Sequence, residues 1–179
     1  VGADWDGVTV LQDNNDKKPP VVMPDYIAKA IKRGDTKSVL RWINADRTED
    51  RASAVSAEMM GLTALMLANL ESNLTLMTLL LQLGADVNYR VSLGYSLIDL
   101  ALNDVHVDAR AHKVVRMLLS WGATFISENE GSKENNILKA RVRGDHNLAN
   151  LLESELGGRR CEIVNLSVQP ELNGKTCVA

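Results

Sequence analysis

Met60-Gly61-Leu62-Thr63-Ala64-Leu65-Met66-Leu67-Ala68 returns 33 residues later as Leu93-Gly94-Tyr95-Ser96-Leu97-Ile98-Asp99-Leu100-Ala101. Each copy runs on to a second apolar segment, Leu79-Leu80-Leu81 in one and Met117-Leu118-Leu119 in the other. Each then closes on a Gly-Ala pair, Gly84-Ala85 or Gly122-Ala123. The unit reads as two helices joined by a turn. One such pair has no means of burying its own apolar side, so units of this kind stack into a rod with a face left free for binding.

A Gly, a hydroxyl residue, a Leu or Ile and an Ala at these offsets, followed by Leu-Leu and Gly-Ala, resemble the ankyrin repeat. The outer parts of the chain resemble each other more than the middle: Ala30-Ile31-Lys32-Arg33-Gly34-Asp35 matches Ala140-Arg141-Val142-Arg143-Gly144-Asp145. Both are followed by a segment with apolar residues at helical spacing, Val39, Leu40 and Ile43 in the first and Leu148, Leu151 and Leu152 in the last. Both lack the closing Gly-Ala, and the first lacks the opening Gly-x-Thr. Terminal repeats turn one face to water, so such degeneracy belongs there. The expected fold is an all-α ankyrin solenoid of four helix pairs, over 25–44, 62–83, 96–121 and 132–155. Leu65, Ala68, Leu80, Leu81, Ile98, Ala101, Leu118 and Leu119 are expected in its core.

Two departures from a regular array stand out. About five extra residues fall around Val105-His106-Val107-Asp108-Ala109, and 45–58 reads as a long polar loop. The Thr-Pro-Leu-His tetrapeptide of the family is worn to Thr63-Ala64-Leu65-Met66 and Ser96-Leu97-Ile98-Asp99. Loss of the His removes an inter-repeat hydrogen bond and predicts a less regular stack.

Three segments divide the chain: an extended N-terminal arm over 1–24, the repeats over 25–156, and a C-terminal β-hairpin over 157–179. The arm is polar apart from Trp5 and Val8-Thr9-Val10-Leu11, and Pro19-Pro20 imposes an extended approach to the first helix. After Gly157-Gly158 the period changes. Cys161 to Leu166 and Lys175 to Val178 read as strands, separated by a turn at Asn173-Gly174. The run containing Pro170-Glu171-Leu172-Asn173-Gly174 resembles the opening strands of a small SH3-like β-barrel, a segment appended to ankyrin and other repeats, notably in algal proteins. A chain that opens on Val1 is expected to have lost a targeting segment or to be part of a longer precursor. This points to an intracellular protein, cytoplasmic or organellar.

The composition is 45% apolar with a net charge of −3 and both signs interspersed, which argues against nucleic-acid binding. No apolar run approaches the length of a membrane span. Cys161 and Cys177 fall in the two tail strands. A cross-strand disulfide is open to them, and two reduced, half-buried thiols is the plainer reading.

Several motifs tempt a chemical reading and fail on spacing. Gly174-Lys175-Thr176 ends like a phosphate loop, but Gln169 stands where that pattern requires Gly. Arg33-Gly34-Asp35 and Arg143-Gly144-Asp145 read as helix–helix turns in which Gly takes the left-handed conformation and Asp caps the next helix. Asn73-Leu74-Thr75 reads as a turn and cap rather than a glycosylation site. His106 and His112, with Asp104 and Asp108, read as a solvated insertion rather than a metal site. No Ser, Cys or Lys has a partner base at catalytic spacing. The expectation is therefore no enzyme, no catalytic residue, no metal, no cofactor and no small-molecule substrate.

The ankyrin resemblance implies a protein–protein interaction module that binds through the finger tips 86–91 and 124–129. Trp5, Asp86, Tyr89, Arg90, Trp121 and Phe125 are the expected contact residues, since aromatic side chains and Arg dominate interface energetics. Trp121 and Trp42 have a second reading, packing beneath an adjoining loop. The arm and hairpin both look unfinished alone, which favours a peripheral structural subunit of a larger assembly, its partners being other proteins of that complex. The alternatives are a regulatory ankyrin segment of a multidomain enzyme and an accessory subunit of an organellar complex, including a plastid photosynthetic one.

Overall fold

The computed structural model of the protein describes residues 19–92, 94–103, 109–124, 132–154, 157–164 and 167–178. Trp5 and Phe125 lie outside the described residues, as do His106, Asp104 and Asp108. Eight helices stand among the described residues as four antiparallel pairs: α1 (Asp25–Lys32) with α2 (Thr36–Ala45), α3 (Ala64–Leu70) with α4 (Leu74–Gln82), α5 (Leu97–Asn103) with α6 (Ala109–Ser120), and α7 (Ser132–Val142) with α8 (His146–Glu153). The protein is a mostly helical stack of pairs with an antiparallel hairpin at its C-terminal end.

Helix α3 and the second helices α2, α4 and α8 begin where the sequence supplies a side-chain cap. The Thr63 side chain accepts from the Met66 amide at 3.2 Å, and Asn73 accepts from Leu76 at 3.0 Å. Asp35 accepts from Ser38 at 3.1 Å, and Asp145 from Leu148 at 2.9 Å. These bonds satisfy amides that a helix start leaves without partners. Ahead of the two aspartates, Gly34 and Gly144 have φ of 71° and 78°, the left-handed turn that only Gly adopts without cost. The two Arg-Gly-Asp triplets are thus inter-helix turns. At the third pair the worn tetrapeptide makes a capping box instead. The Ser96 amide donates to Asp99 Oδ2 at 3.0 Å, and the Asp99 amide donates to Ser96 Oγ at 3.3 Å.

The core is one continuous cluster running from Met23 to Leu152 and drawing on every helix pair. Leu65, Ala68, Leu80, Leu81, Ile98, Ala101, Leu118 and Leu119 are all buried in it. Met66 is also fully buried, filling the place of the family's His with a pliable apolar side chain.

The stretch 45–58 is more than a polar loop. Ala52, Ala54 and Val55 are buried, and β1 (Val55–Ser56) pairs antiparallel with β2 (Leu62–Thr63), with Val55 opposite Thr63 and Ser56 opposite Leu62. The segment before α1 lies on the other side of β1: the Met23 amide donates to the Val55 carbonyl at 2.8 Å, and the Val55 amide to the Val21 carbonyl at 2.9 Å. Short side chains let this backbone lie flat on the helices, and they carry little apolar signal. His112 stands within α6, half-buried, rather than in the insertion.

The C-terminal hairpin pairs β3 (Arg160–Glu162) with β4 (Thr176–Val178). A 3-10 turn over Pro170–Leu172 lies between the two strands, and residues 165–166 of the expected first strand lie outside the described residues. Thr176 begins a strand, so Gly174-Lys175-Thr176 opens no helix and has no phosphate-loop geometry.

Candidate protein-binding surface

The connections that follow the first two pairs form two fingers, joined at their bases to each other and to residues 122–124 by hydrogen bonds between side chains and backbone. The Asp86 amide donates to Ser53 Oγ of the preceding finger at 3.0 Å. Asn88 reaches the connection after α6: its Nδ2 donates to the Gly122 carbonyl at 3.1 Å, and its Oδ1 accepts from the Thr124 amide at 2.9 Å and hydroxyl at 3.1 Å. Ala85, Val87 and Val91 point inward and are buried. The finger base is therefore anchored on both sides, and its exposed positions are held in place.

Asp86 is exposed, and its carboxylate accepts from the Asn88 amide at 2.8 Å, which shapes the turn. Tyr89 is half-buried and packs against the core, so this aromatic does have intramolecular surface to cover. Arg90 donates through Nη1 to the Gly94 carbonyl at 3.0 Å, closing a tight loop in which the Gly94 amide also donates to Val91 at 2.7 Å. Beyond that turn stands Tyr95, 48% exposed, and the preceding finger ends on Met60, 73% exposed with φ of 53°. These two large side chains at successive finger tips are the residues that sequence reasoning missed. The signal lay in the repeat itself: both flank the Gly61/Gly94 position that marks the tip.

Trp121 is half-buried at the end of α6 and is covered by the tail. The Arg160 guanidinium lies 4.5 Å from its ring centroid. Gly158 sits so close below that an added Cβ would come within 2.9 Å of the Leu119 Cβ. Trp42 has a similar partner. Arg51 stacks at 5.2 Å from its ring and donates through Nη1 to the Trp42 carbonyl at 3.1 Å, while Glu49 and Asp46 hold the same guanidinium. Both indoles thus pack beneath an adjoining segment, each faced by an Arg, a pairing favourable through the ring's negative face.

A second surface lies on the first pair. α1 and α2 line a groove of about 310 Å³ with Tyr26, Ala30 and Arg33 on one wall and Ser38, Arg41, Trp42 and Ala45 on the other. Asp35 also borders it, and its carboxylate is engaged by Ser38, whose hydroxyl and amide hold its pKa below the usual aspartate range. Across the two helices and the turn between them, Lys29, Lys32, Arg33, Lys37 and Arg41 outnumber Asp25 and Asp35, so this pair is basic within a chain of net charge −3, with Glu58 standing beside Lys29 and Lys32.

Among the described residues no group of three or more His, Cys, Asp or Glu side chains gathers as metal ligands would. Among them, too, no helix is long and apolar enough to cross a membrane. No curated protein matches the chain. The family model of the ankyrin repeat matches residues 60–91, from the tip of one finger to the tip of the next, and the helix pairs on either side are consistent with further repeats of that kind.

Proposed function

We propose that this chain is a peripheral structural subunit of a larger protein assembly and that it binds its partner along the finger row. An ankyrin repeat implies a protein-interaction module. The observation that carries the reading is the pair of exposed tips, Met60 and Tyr95, whose two fingers are joined by the Ser53–Asp86 bond. An anchored backbone loses little further freedom when a partner covers its side chains, which favours their use as contact residues. Asp86 and Arg90 supply charge of both signs beside them and set the register of the partner. Trp5 and Phe125 are kept as contacts from the arm and from the following finger, on the sequence argument alone. Trp121 contributes only where the tail lifts away from it.

Photo-crosslinking tests the reading. A benzophenone side chain at Tyr95, in the full chain expressed in its native cells, should capture one protein species in stoichiometric yield. The same group at Glu71, on the turn between α3 and α4, should not capture that species. Equal capture at both positions, or none at Tyr95, would remove the finger row as the interface.

A further inference from the structure

Cys161 and Cys177 stand directly opposite each other in the β3–β4 ladder. Both are thiols, both are half-buried, and the Cys161 thiol donates to the Arg159 carbonyl. Their pairing class follows from the next rung. The Ile163 amide donates to the Lys175 carbonyl at 2.9 Å, which makes that pair hydrogen-bonded. Antiparallel pairs alternate, so Cys161 and Cys177, two rungs on, are hydrogen-bonded as well. Such a pair holds its Cα atoms about 5.5 Å apart with both Cβ atoms on one face, a Cα separation that a disulfide spans. Its Cβ atoms stand wider than the roughly 3.5–4.5 Å of a relaxed bond, so closing it strains the ladder and leaves it readily reduced. The residues flanking the pair leave the hairpin little other stabilisation. The strands are three residues each, and Val164 and Val168 beside them are exposed. An isolated two-stranded hairpin is marginal in water. This one is held to the helices through the Arg160–Trp121 stack and the Gly158–Leu119 contact, immediately N-terminal to Cys161.

We propose that Cys161 and Cys177 form a reversible redox site: oxidation by a small disulfide closes a cross-strand bond that locks the hairpin in register and fixes Arg160 over Trp121. One protein thiolate attacks a sulfur of the external disulfide, giving a protein mixed disulfide and releasing one small thiolate. The second protein thiolate attacks the protein sulfur of that mixed disulfide and expels the other small thiolate. In balance, two protein S–H bonds are lost, one S–S bond forms, and the external disulfide takes up two electrons and two protons as two thiols. The register favours the second step, because the resolving thiol already faces the mixed disulfide. The site regulates the tail and is independent of the partner reading above.

The test equilibrates the full chain in buffers running from reduced to oxidised glutathione, followed by acid quench and mass spectrometry. The expected product is the intact chain less two hydrogens, without added glutathione. Trypsin should convert it to the peptide beginning at Cys161 and ending at Lys175, linked to the one beginning at Thr176. Cys161→Ser and Cys177→Ser should each stop at a single glutathione adduct under the same buffers. Hydrogen exchange of the amides over 160–163 and 176–178 should slow by about tenfold on oxidation, since the opened hairpin is disfavoured. A wild-type chain that stays fully reduced in oxidised glutathione, or that accumulates only glutathione adducts or disulfide-linked dimers, would overturn the proposal. Unchanged exchange in the internally bonded chain would overturn the locking of the tail.

Discussion

Asn88 is bonded to Thr124 across one repeat through both the amide and the hydroxyl of the threonine, and its other side-chain atom is bonded to Gly122. One side chain on the finger surface thereby satisfies the backbone of the next turn. Replacement by Ala should cost about 1–2 kcal/mol, the sum of two or three modest hydrogen bonds at an exposed site. Asn88→Asp keeps the acceptor and loses the donor, so it should fall between the two. Urea denaturation reads these differences, and a loss below the error of the extrapolation for Asn88→Ala would mean that water replaces the side chain fully.

Leu80 is fully buried in the middle of the continuous core. Leu80→Ala should lower stability by about 2–5 kcal/mol, with the larger values if the neighbouring helices cannot close on the space. The measurement is the same denaturation curve, at unchanged slope.

The two finger tyrosines should separate cleanly. Tyr95→Ala should weaken partner binding while changing stability by no more than about 0.5 kcal/mol, as exposed positions do. Tyr89→Ala should instead destabilise, because its ring covers part of the core. Calorimetric titration of the captured partner, set beside melting curves of each variant, distinguishes them. The reverse pattern would put Tyr89 at the interface and Tyr95 in the fold.

Acid should loosen the first pair early. The hydroxyl and amide of Ser38 lower the Asp35 pKa, those of Thr48 lower that of Asp46, and the Lys29 ammonium followed by the Glu58 carboxyl lowers that of Asp25. A carboxylate with a depressed folded pKa binds fewer protons folded than unfolded. Its contribution is therefore complete above the unfolded value and is lost as pH falls through the folded one. The melting temperature should hold down to about pH 5 and drop below about pH 4. Asp35→Asn, which can still accept from the Ser38 amide but does not titrate, should flatten that drop.

Much of the fold was legible because the repeat imposes the same demands twice. The 33-residue recurrence located the helix pairs, and the Thr63, Asn73, Asp35 and Asp145 caps stand at the boundaries that short polar side chains marked. The strand at Val55–Ser56 was not legible, since Ala52 and Ala54 are buried by position rather than by size. The candidate surface was readable as a place but not residue by residue. A turn sequence fixes where a finger projects, whereas which of Tyr89 and Tyr95 faces outward depends on the way the loop folds back through the Arg90–Gly94 and Gly94–Val91 bonds. The Arg160–Trp121 stack joins residues from separate elements, and nothing in either segment names the other.

The bonds from Ser53 to Asp86 and from Asn88 to Gly122 and Thr124 also make the stack mechanically lopsided. Directional contacts weaken steeply once stretched or turned, so the finger edge resists extension like the spine of a book. On the opposite edge the pairs meet through Leu, Ala, Met and Val side chains, whose attraction has no preferred direction and tolerates sliding. Bending should therefore fan the helices about the fingers as a hinge line. A long partner would meet tips of constant pitch while the groove behind them widens or narrows to suit it.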